Sequence, residues 1–455
     1  MTDKEKTDKE ININEYIHNL VVNNETTLLK TILVDLHPAD ISEVITHLEN
    51  NDQRTEIIRL LNDKTAAEVL IELDHSISTE LINNIDEKRI VRIISLMDSD
   101  DATEIIDELS EDVTQDILKA LPLEEFRDIK TLLMHDEETA GRIMALEIVA
   151  VHQNRRVKEA LNVLRIKSKD VVDVYNIYLI DRYGYLQGVV SLAKLVLSDP
   201  KTRLIDIMDK DFIAIPKDTD QEEVANIFRK YDLVAAPVVD DENKLIGRIT
   251  ADDILEVVDE ETTEDMNLMA GITDEIPYEG SIFKLSWIRL PWLMVAFVGQ
   301  MISAVVMSHY KATLDQILIA AFFIPLIMAM GGNIGIQSAT IVIRGLATGE
   351  LTHHSIKKRL AKELSVTLFN ALVISVFLTA VLLFIFHHLY FGILLSFALI
   401  AVLINASLIG TLIPFILKKL NFDPAIATAP FITTSNDIIG LFIYLALLTT
   451  FMQWL

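Results

Sequence analysis

The 455-residue chain contains no cysteine, which excludes a disulfide framework and any thiolate metal centre, and fits a reducing compartment for its soluble part. Basic residues are also in short supply: 40 Lys and Arg stand against 67 Asp and Glu, a formal net charge of -27. Such an excess repels nucleic acid and anionic headgroups, so the expected counterpart is a cation or a basic surface. A phosphate-binding Gly-rich loop, a Ser-His-Asp arrangement and a Cys/His metal motif are all missing, so no enzymatic activity is expected. Met1–Glu10 is a charged run without an apolar centre, which gives no sign of a cleavable signal peptide. Long apolar runs are absent from the first 280 residues and crowd the remainder.

That division is the main feature of the chain. Residues 281–455 carry 10 Lys or Arg against 5 Asp or Glu, leaving 30 against 62 in residues 1–280. The charge is therefore -32 on one part and +5 on the other. After a tail over 1–14 that is expected to be disordered, residues 15–142 read as short helices with apolar residues at i, i+3, i+4 spacing, broken by acidic or Pro-containing turns. HPADISEVITHL, DKTAAEVLIEL, DEKRIVRIISLM and DDATEIIDEL are variants of one theme. Stacked units of this kind form an all-α superhelical array.

Residues 143–257 contain a pattern that occurs twice. Ile143-Met144 before IVAV matches Ile207-Met208 before IAIP at an offset of 64. NIYLIDRYGYLQGVVSLAKLV matches VAAPVVDDENKLIGRITADDIL at an offset of 59, with Asp181 and Gly188 against Asp240 and Gly247. Each copy reads as strand, turn, strand, helix, giving two similar α/β modules over 143–203 and 204–257. They resemble a tandem pair of CBS domains, a resemblance that implies regulation by adenosine nucleotides or ions, with ATP as the expected nucleotide. An acidic connecting helix is expected over 258–284.

From 285 onward the hydropathy is that of membrane spans of roughly 20 residues. Five are predicted, at about 288–308, 314–346, 364–387, 391–417 and 428–453. Arg344, Lys357, Lys358, Arg359 and Lys362 lie between the second and third, and Lys418 and Lys419 between the fourth and fifth. Positive loops face the cytoplasm, which places the acidic N-terminal part inside and Leu455 outside.

Within the predicted spans one carboxylate stands out: Asp437, seven residues or about 10 Å past Pro430. A charge at that depth is costly and commonly faces a cavity or an ion path. Thr433, Thr434, Ser435 and Asn436 form a wet stretch beside it. The second span carries Pro325, Gly331, Gly332, Asn333, Gly335 and Gln337. Glycines there permit close helix approach, whereas Asn333 and Gln337 suit water or an ion. Thr433, Thr434, Asn436, Asn333 and Gln337 are the pore-lining candidates. In the soluble part Asp98, Asp100, Asp101 and Glu104, then Asp252, Asp253 and Glu256, then Glu260, Glu261, Glu264 and Asp265 form acidic groups whose oxygen-only spacing suits a hard divalent cation. Singly, each reads better as a solvated helix face than as a ligand; as a set, their charge resists close packing unless counter-ions bridge it. His353, His354, His387 and His388 fall in pairs near span ends, where interfacial residues are ordinary.

The chain resembles the MgtE family of magnesium channels over nearly its whole length. The residues that carry the resemblance are Pro325, Gly331-Gly332-Asn333, Gly335, Gln337-Ser338-Ala339-Thr340, Asp423-Pro424-Ala425 and Ser435-Asn436-Asp437 with Gly440. In the soluble part HPADISEVI, DEETAGRIM, TDQEEVA, TADDILEV and EETTED add to it. The resemblance implies a homodimer of five-span subunits in a cell membrane, with Asp437 of each at the selectivity site. It also implies closure by internal magnesium bound at the acidic groups, and adds Glu222 and Asp232 of the second module to them. Glu256 stands where the family uses a carboxylate on the last module helix. A secondary transporter exchanging divalent cations for protons or sodium is the alternative, because one intramembrane Asp serves a proton relay equally well.

Overall fold

The computed structural model describes residues 13–451 except 24, 49, 168–173, 273–281, 349, 352–355, 421 and 428. The expectations for the tail over 1–12, for His353 and His354, and for Leu455 lie outside the described residues. The chain divides into two compact units after Val257.

Among the described residues of the first unit, ten short helices run between Ile13 and Leu132, each of 8 to 10 residues. Helices of that length are marginal alone, so each depends on burying one stripe. In Glu87–Ile94 the stripe is Ile90, Ile93 and Ile94, the i, i+3, i+4 set of one helical face. Side-chain oxygens of Asn50 and Asn62 cap two of the helices by accepting from the Asp52 and Thr65 N–H groups. Packing skips a neighbour: Pro38–Thr46 meets Asp63–Ile71, which meets Glu87–Ile94, which meets Glu111–Ala120. One apolar core from Ile17 to Ile129 results. Arg92 and Arg89 grip Asp63 at 2.9 and 3.0 Å across two of these helices and hold its carboxyl below the usual range.

The repeated segment forms two sheets with the same topology. Strands β1 (Ala150–His152), β2 (Asn176–Ile180) and β3 (Leu186–Ser191) make one, and β4 (Ile215–Pro216), β5 (Ala235–Val239) and β6 (Leu245–Thr250) the other. In each, the first strand runs parallel to the second and the third antiparallel to it. A helix lies between the first and second strands, Val157–Lys167 in one copy and Gln221–Tyr231 in the other, so each module holds one strand and one helix more than the sequence pattern indicates. The connection after that helix is 8 residues long in the first copy and 3 in the second. The difference of five accounts for the change in offset from 64 to 59.

Both hairpins turn on an aspartate. Asp181 Oδ1 accepts from the Tyr183 and Tyr185 N–H groups, and Asp240 Oδ1 from those of Glu242 and Lys244. The left-handed position of the turn is Gly184 in one copy and Asn243 in the other, two residue types that tolerate it. The repeated Ile-Met pair packs crosswise. Met144, which opens the first copy, lies on Gly247 of the second, and Met208, which opens the second, lies on Gly188 of the first. A Cβ at Gly247 or Gly188 would sit within 3 Å of a backbone oxygen, that of Ala145 or Asp209. Those glycines therefore set how closely the modules approach.

In the second unit the acidic stretch continues, without a break at Val257, the helix begun at Ala251, which ends at Met269. Among the described residues five helices are long and apolar enough to cross a membrane: Leu285–His309, Leu318–Ala347, Ile356–Phe386, Leu389–Lys419 and Pro430–Phe451. The segment predicted to open the second span is broken, because a separate short helix covers Lys311–Gln316 and the span restarts at Leu318. The fourth span is the centre of the bundle, with Leu395, Ala398, Leu399, Val402, Leu403 and Ala406 fully buried. Small residues allow this: Gly410 of the fourth span lies directly against the Gly335 carbonyl of the second, the close approach expected of small residues in membrane helices.

Candidate cation sites

The fifth span positions the intramembrane carboxylate. Asp437 is half-buried, and Gln300 of the first span donates its side-chain N–H to Asp437 Oδ2. Its neighbours are divided by burial. Asn436 is 1% exposed, lies against Gly331 and donates to the Met328 carbonyl at 3.3 Å. Within one chain it therefore packs the fifth span on the second. Thr433 and Thr434 are half-buried, Thr433 near Gly332 and Thr434 pressed on Gly299 of the first span. Asn333 and Gln337 are exposed and line, with Asn370 and Phe369, a cleft between the second and third spans. Amides exposed at that depth are expensive in lipid.

A buried ion pair near the start of the third span went unread in the sequence. The third span begins at Ile356, earlier than predicted, and takes in Glu363, whose side chain is 9% exposed and pairs with Arg359 at 2.7 Å. Ser338 of the second span donates to Glu363 at 3.0 Å and bridges to Ser407 of the fourth at 3.3 Å. Three spans thus meet at one carboxylate. Removing one partner of a buried pair leaves the other charged and unsatisfied. Glu363→Gln is therefore expected to destabilise the bundle by about 3 kcal/mol, read as a lowered Tm in detergent, with Arg359→Met and Glu363→Met together recovering most of the loss.

The acidic groups of the soluble unit converge only in part. Asp98 precedes the Ser99–Asp107 helix, and Asp100 and Asp101 occupy its first turn, where the helix dipole favours negative charge. Ligand oxygens of Asp98, Asp100 and Glu147 lie within 4.8 Å of one another. Glu147, from the segment leading into the first CBS module, accepts from the Ser99 hydroxyl at 2.8 Å and its N–H at 3.3 Å. Asp253, on the last helix of the second module, accepts from the Thr250 N–H and hydroxyl, both at 2.7 Å. Arg248 on β6 reaches Asp98 at 3.5 Å.

Crowding makes these carboxylates hard to ionise. Burial, then repulsion from Asp101, Asp253, Asp98 and Glu147, pushes Asp100 well above the usual carboxylate value. Burial, followed by Asp98, Asp253, Glu256 and Glu104, pushes Asp101 up to about 8. Burial also raises Asp253, against the pull of the two Thr250 hydrogen bonds. Several such groups sharing one place is the arrangement a hard cation relieves.

Of the remaining candidates, Glu104 and Glu256 act on the cluster through their repulsion of Asp101, and the others lie apart from it. Glu104 stands 3.6 Å from His75. Asp252 is exposed. Glu222 and Asp232 sit at opposite ends of the Gln221–Tyr231 helix, roughly 15 Å apart at 1.5 Å per residue; no single ion joins them within one chain. Asp232 is instead the left-handed residue closing that helix, with φ of 51°. In the second unit Glu260 and Glu264 are exposed and Glu261 half-buried. Asp265, further along, is pushed up to about 6 by burial and then by Asp423 of the loop before the fifth span. Asp423 accepts from the Ala425 N–H at 2.7 Å. Two half-buried carboxylates thus repel each other at the base of the span bundle.

A carboxylate fixed inside a five-span bundle, and acidic clusters in a soluble unit that carries paired regulatory modules, define a regulated cation transporter of the membrane. Family descriptions match in the same order: "MgtE intracellular N domain" over 36–138, "CBS domain" over 204–260 and "Divalent cation transporter" over 324–447. The magnesium transporter MgtE of Thermus thermophilus is 35% identical over 70% of this chain and 71% of its own. That of Enterococcus faecalis is 34% identical over 73% of each. The solved cytosolic domain of the Mg2+ channel MgtE in complex with ATP matches 54% of this chain and 99% of its own, with a TM-score of 0.52 and 32% identity. The chain belongs to the MgtE family of magnesium transporters.

Proposed function

We propose that the protein admits Mg2+ passively into the cell through a pore built by two copies of the chain, and that Mg2+ on the cytosolic side closes it. The observation that carries this reading is Asp437, a carboxylate held by Gln300 within the spans, in a family of magnesium transporters. Mg2+ surrenders its water reluctantly and is held by one or two carboxylates with several waters, so one Asp from each of two copies suits a largely hydrated ion. The membrane potential alone favours entry by about 4.6 kcal/mol per divalent ion at 100 mV. No coupled ion is required.

Closure follows from the acidic cluster. Asp98 and Asp100 of the helical array and Asp253 of the second CBS module repel one another, and an ion bridging them removes the repulsion. The donor set is entirely oxygen, as a hard cation needs. Asp265 and Asp423 offer a further pair at the spans. The CBS pair takes ATP in this reading, supported by the ATP complex of the relative's cytosolic domain. In this reading the span ends at Arg344, Lys418 and Lys419 are cytoplasmic and the C-terminus lies outside, supported by the positive charge of those ends.

Reconstituted vesicles test the transport step. Uptake is expected to follow the Mg2+ gradient and the voltage and to ignore imposed proton and sodium gradients. Uptake driven by a proton or sodium gradient against the Mg2+ gradient would establish the exchanger instead.

A further inference from the structure

The two CBS modules give an internal control on the acidic cluster. In the first, Val189 of β3 exchanges backbone hydrogen bonds with Asp209 at 3.0 and 2.8 Å. In the second, Arg248 of β6, 59 positions later, does the same with Ala145 at 2.9 and 2.8 Å. The backbone is equivalent and the side chains are not. The module itself needs no charge there, since the first copy holds a valine. Arg248 is 6% exposed, and burying a guanidinium costs several kcal/mol unless a counter-charge meets it. Asp98 of the helical array meets it at 3.5 Å, and Asp253 of its own module, whose carboxyl Arg248 helps to hold down, shares the charge. Asp98 is also one of three carboxylates, with Asp100 and Glu147, whose oxygens lie within 4.8 Å of one another.

We propose that Arg248 is a tethered counter-ion of this cluster. Reaching from the second CBS module to the array, it supplies from within the chain part of the positive charge that docking of the two requires. The array then remains partly docked when Mg2+ is scarce, and Mg2+ acts on a poised state and not on a fully released one. The inference rests on the sensor reading above and deepens it.

The absence of native cysteine allows two labels to be placed cleanly. Lys119→Cys on the array and Asp241→Cys on the second module are both exposed sites. Spin-label distances between them are measured in the full-length protein, with labelled chains diluted by unlabelled ones, in chelator and across a Mg2+ titration. Arg248→Met, which keeps much of the volume, is expected to lower the docking equilibrium in chelator by about tenfold or more and to make docking wholly Mg2+-dependent. Arg248→Lys is expected to stay near wild type. An Arg248→Met protein docked in chelator as wild type is would reduce Arg248 to packing and overturn the proposal while leaving the sensor reading intact. A wild-type distance indifferent to Mg2+ would overturn the sensor reading and this inference with it. Should the Met variant fail to fold, Arg248→Gln carries the same comparison.

Discussion

Asp437→Asn is expected to abolish Mg2+ uptake into vesicles, with a fall of about two orders of magnitude or more, and to leave the Tm and the elution of the protein unchanged. The size follows from removing from each of two copies a charged partner worth roughly 1.5–3 kcal/mol. The fold is spared because, among the described residues, the side-chain hydrogen bond at Asp437 is the one from Gln300, which an asparagine oxygen still accepts. Gln300→Ala separates charge from position. It leaves the carboxylate in place but unheld, so uptake is expected to fall by about tenfold, with the larger change in apparent affinity. Asp437→Glu keeps the charge and displaces it by one methylene, and should fall between the two. Wild-type rates in Asp437→Asn would move the ion path away from the fifth span.

Gln300 marks where sequence reasoning stopped. Asp437 was legible because an aspartate in an apolar run is conspicuous, but a glutamine one span away signals nothing until the first and fifth spans are known to touch. Glu363 was hidden differently. Its neighbours Arg359 and Lys362 look like a loop, and only the helix starting at Ile356 and the contacts of Ser338 reveal a buried pair. Asn436 was taken from its setting as a lining residue and is packed against Gly331 within one chain; sequence spacing gives neighbourhood, not facing direction. The fold was more readable. The count of five spans rests on the length of apolar runs, the stacked short helices on periodicity and the doubled module on an internal repeat, all of which survive without contacts. The first strand of each module was too short to register, at two or three residues. Glu147 and Arg248 join the acidic cluster only through topology. A signal for Arg248 did exist, since the repeat alignment that pairs Gly188 with Gly247 also pairs Val189 with Arg248.

The acidic cluster should make closure depend on pH as well as on Mg2+. Asp101, raised to about 8, is mostly protonated at pH 7 in the absence of a divalent ion. For an acid raised in this way, the docked state keeps its full stability below the unfolded value near 4 and loses it as pH climbs through about 8. Without Mg2+, docking of the array on the second CBS module is therefore expected to be tightest in acid and to loosen progressively toward pH 8. Mg2+ must displace the proton to bind, so its apparent affinity should rise with pH by up to about tenfold per unit below 8 and level off above it. Calorimetry in buffers of different ionisation enthalpy reads the proton released. Asp100→Ala with Asp101→Ala removes two carboxylates of the cluster, leaving Asp253 to titrate: the pore is expected to conduct at cytosolic Mg2+ concentrations that close the wild type, with the pH dependence reduced. Normal closure in that variant would mean that Mg2+ is sensed elsewhere, and the pair formed by Asp265, raised to about 6, and Asp423 would be next to test. Its own signature is distinct, because the titration of Asp265 is complete at a lower pH than that of Asp101, about 6 against about 8.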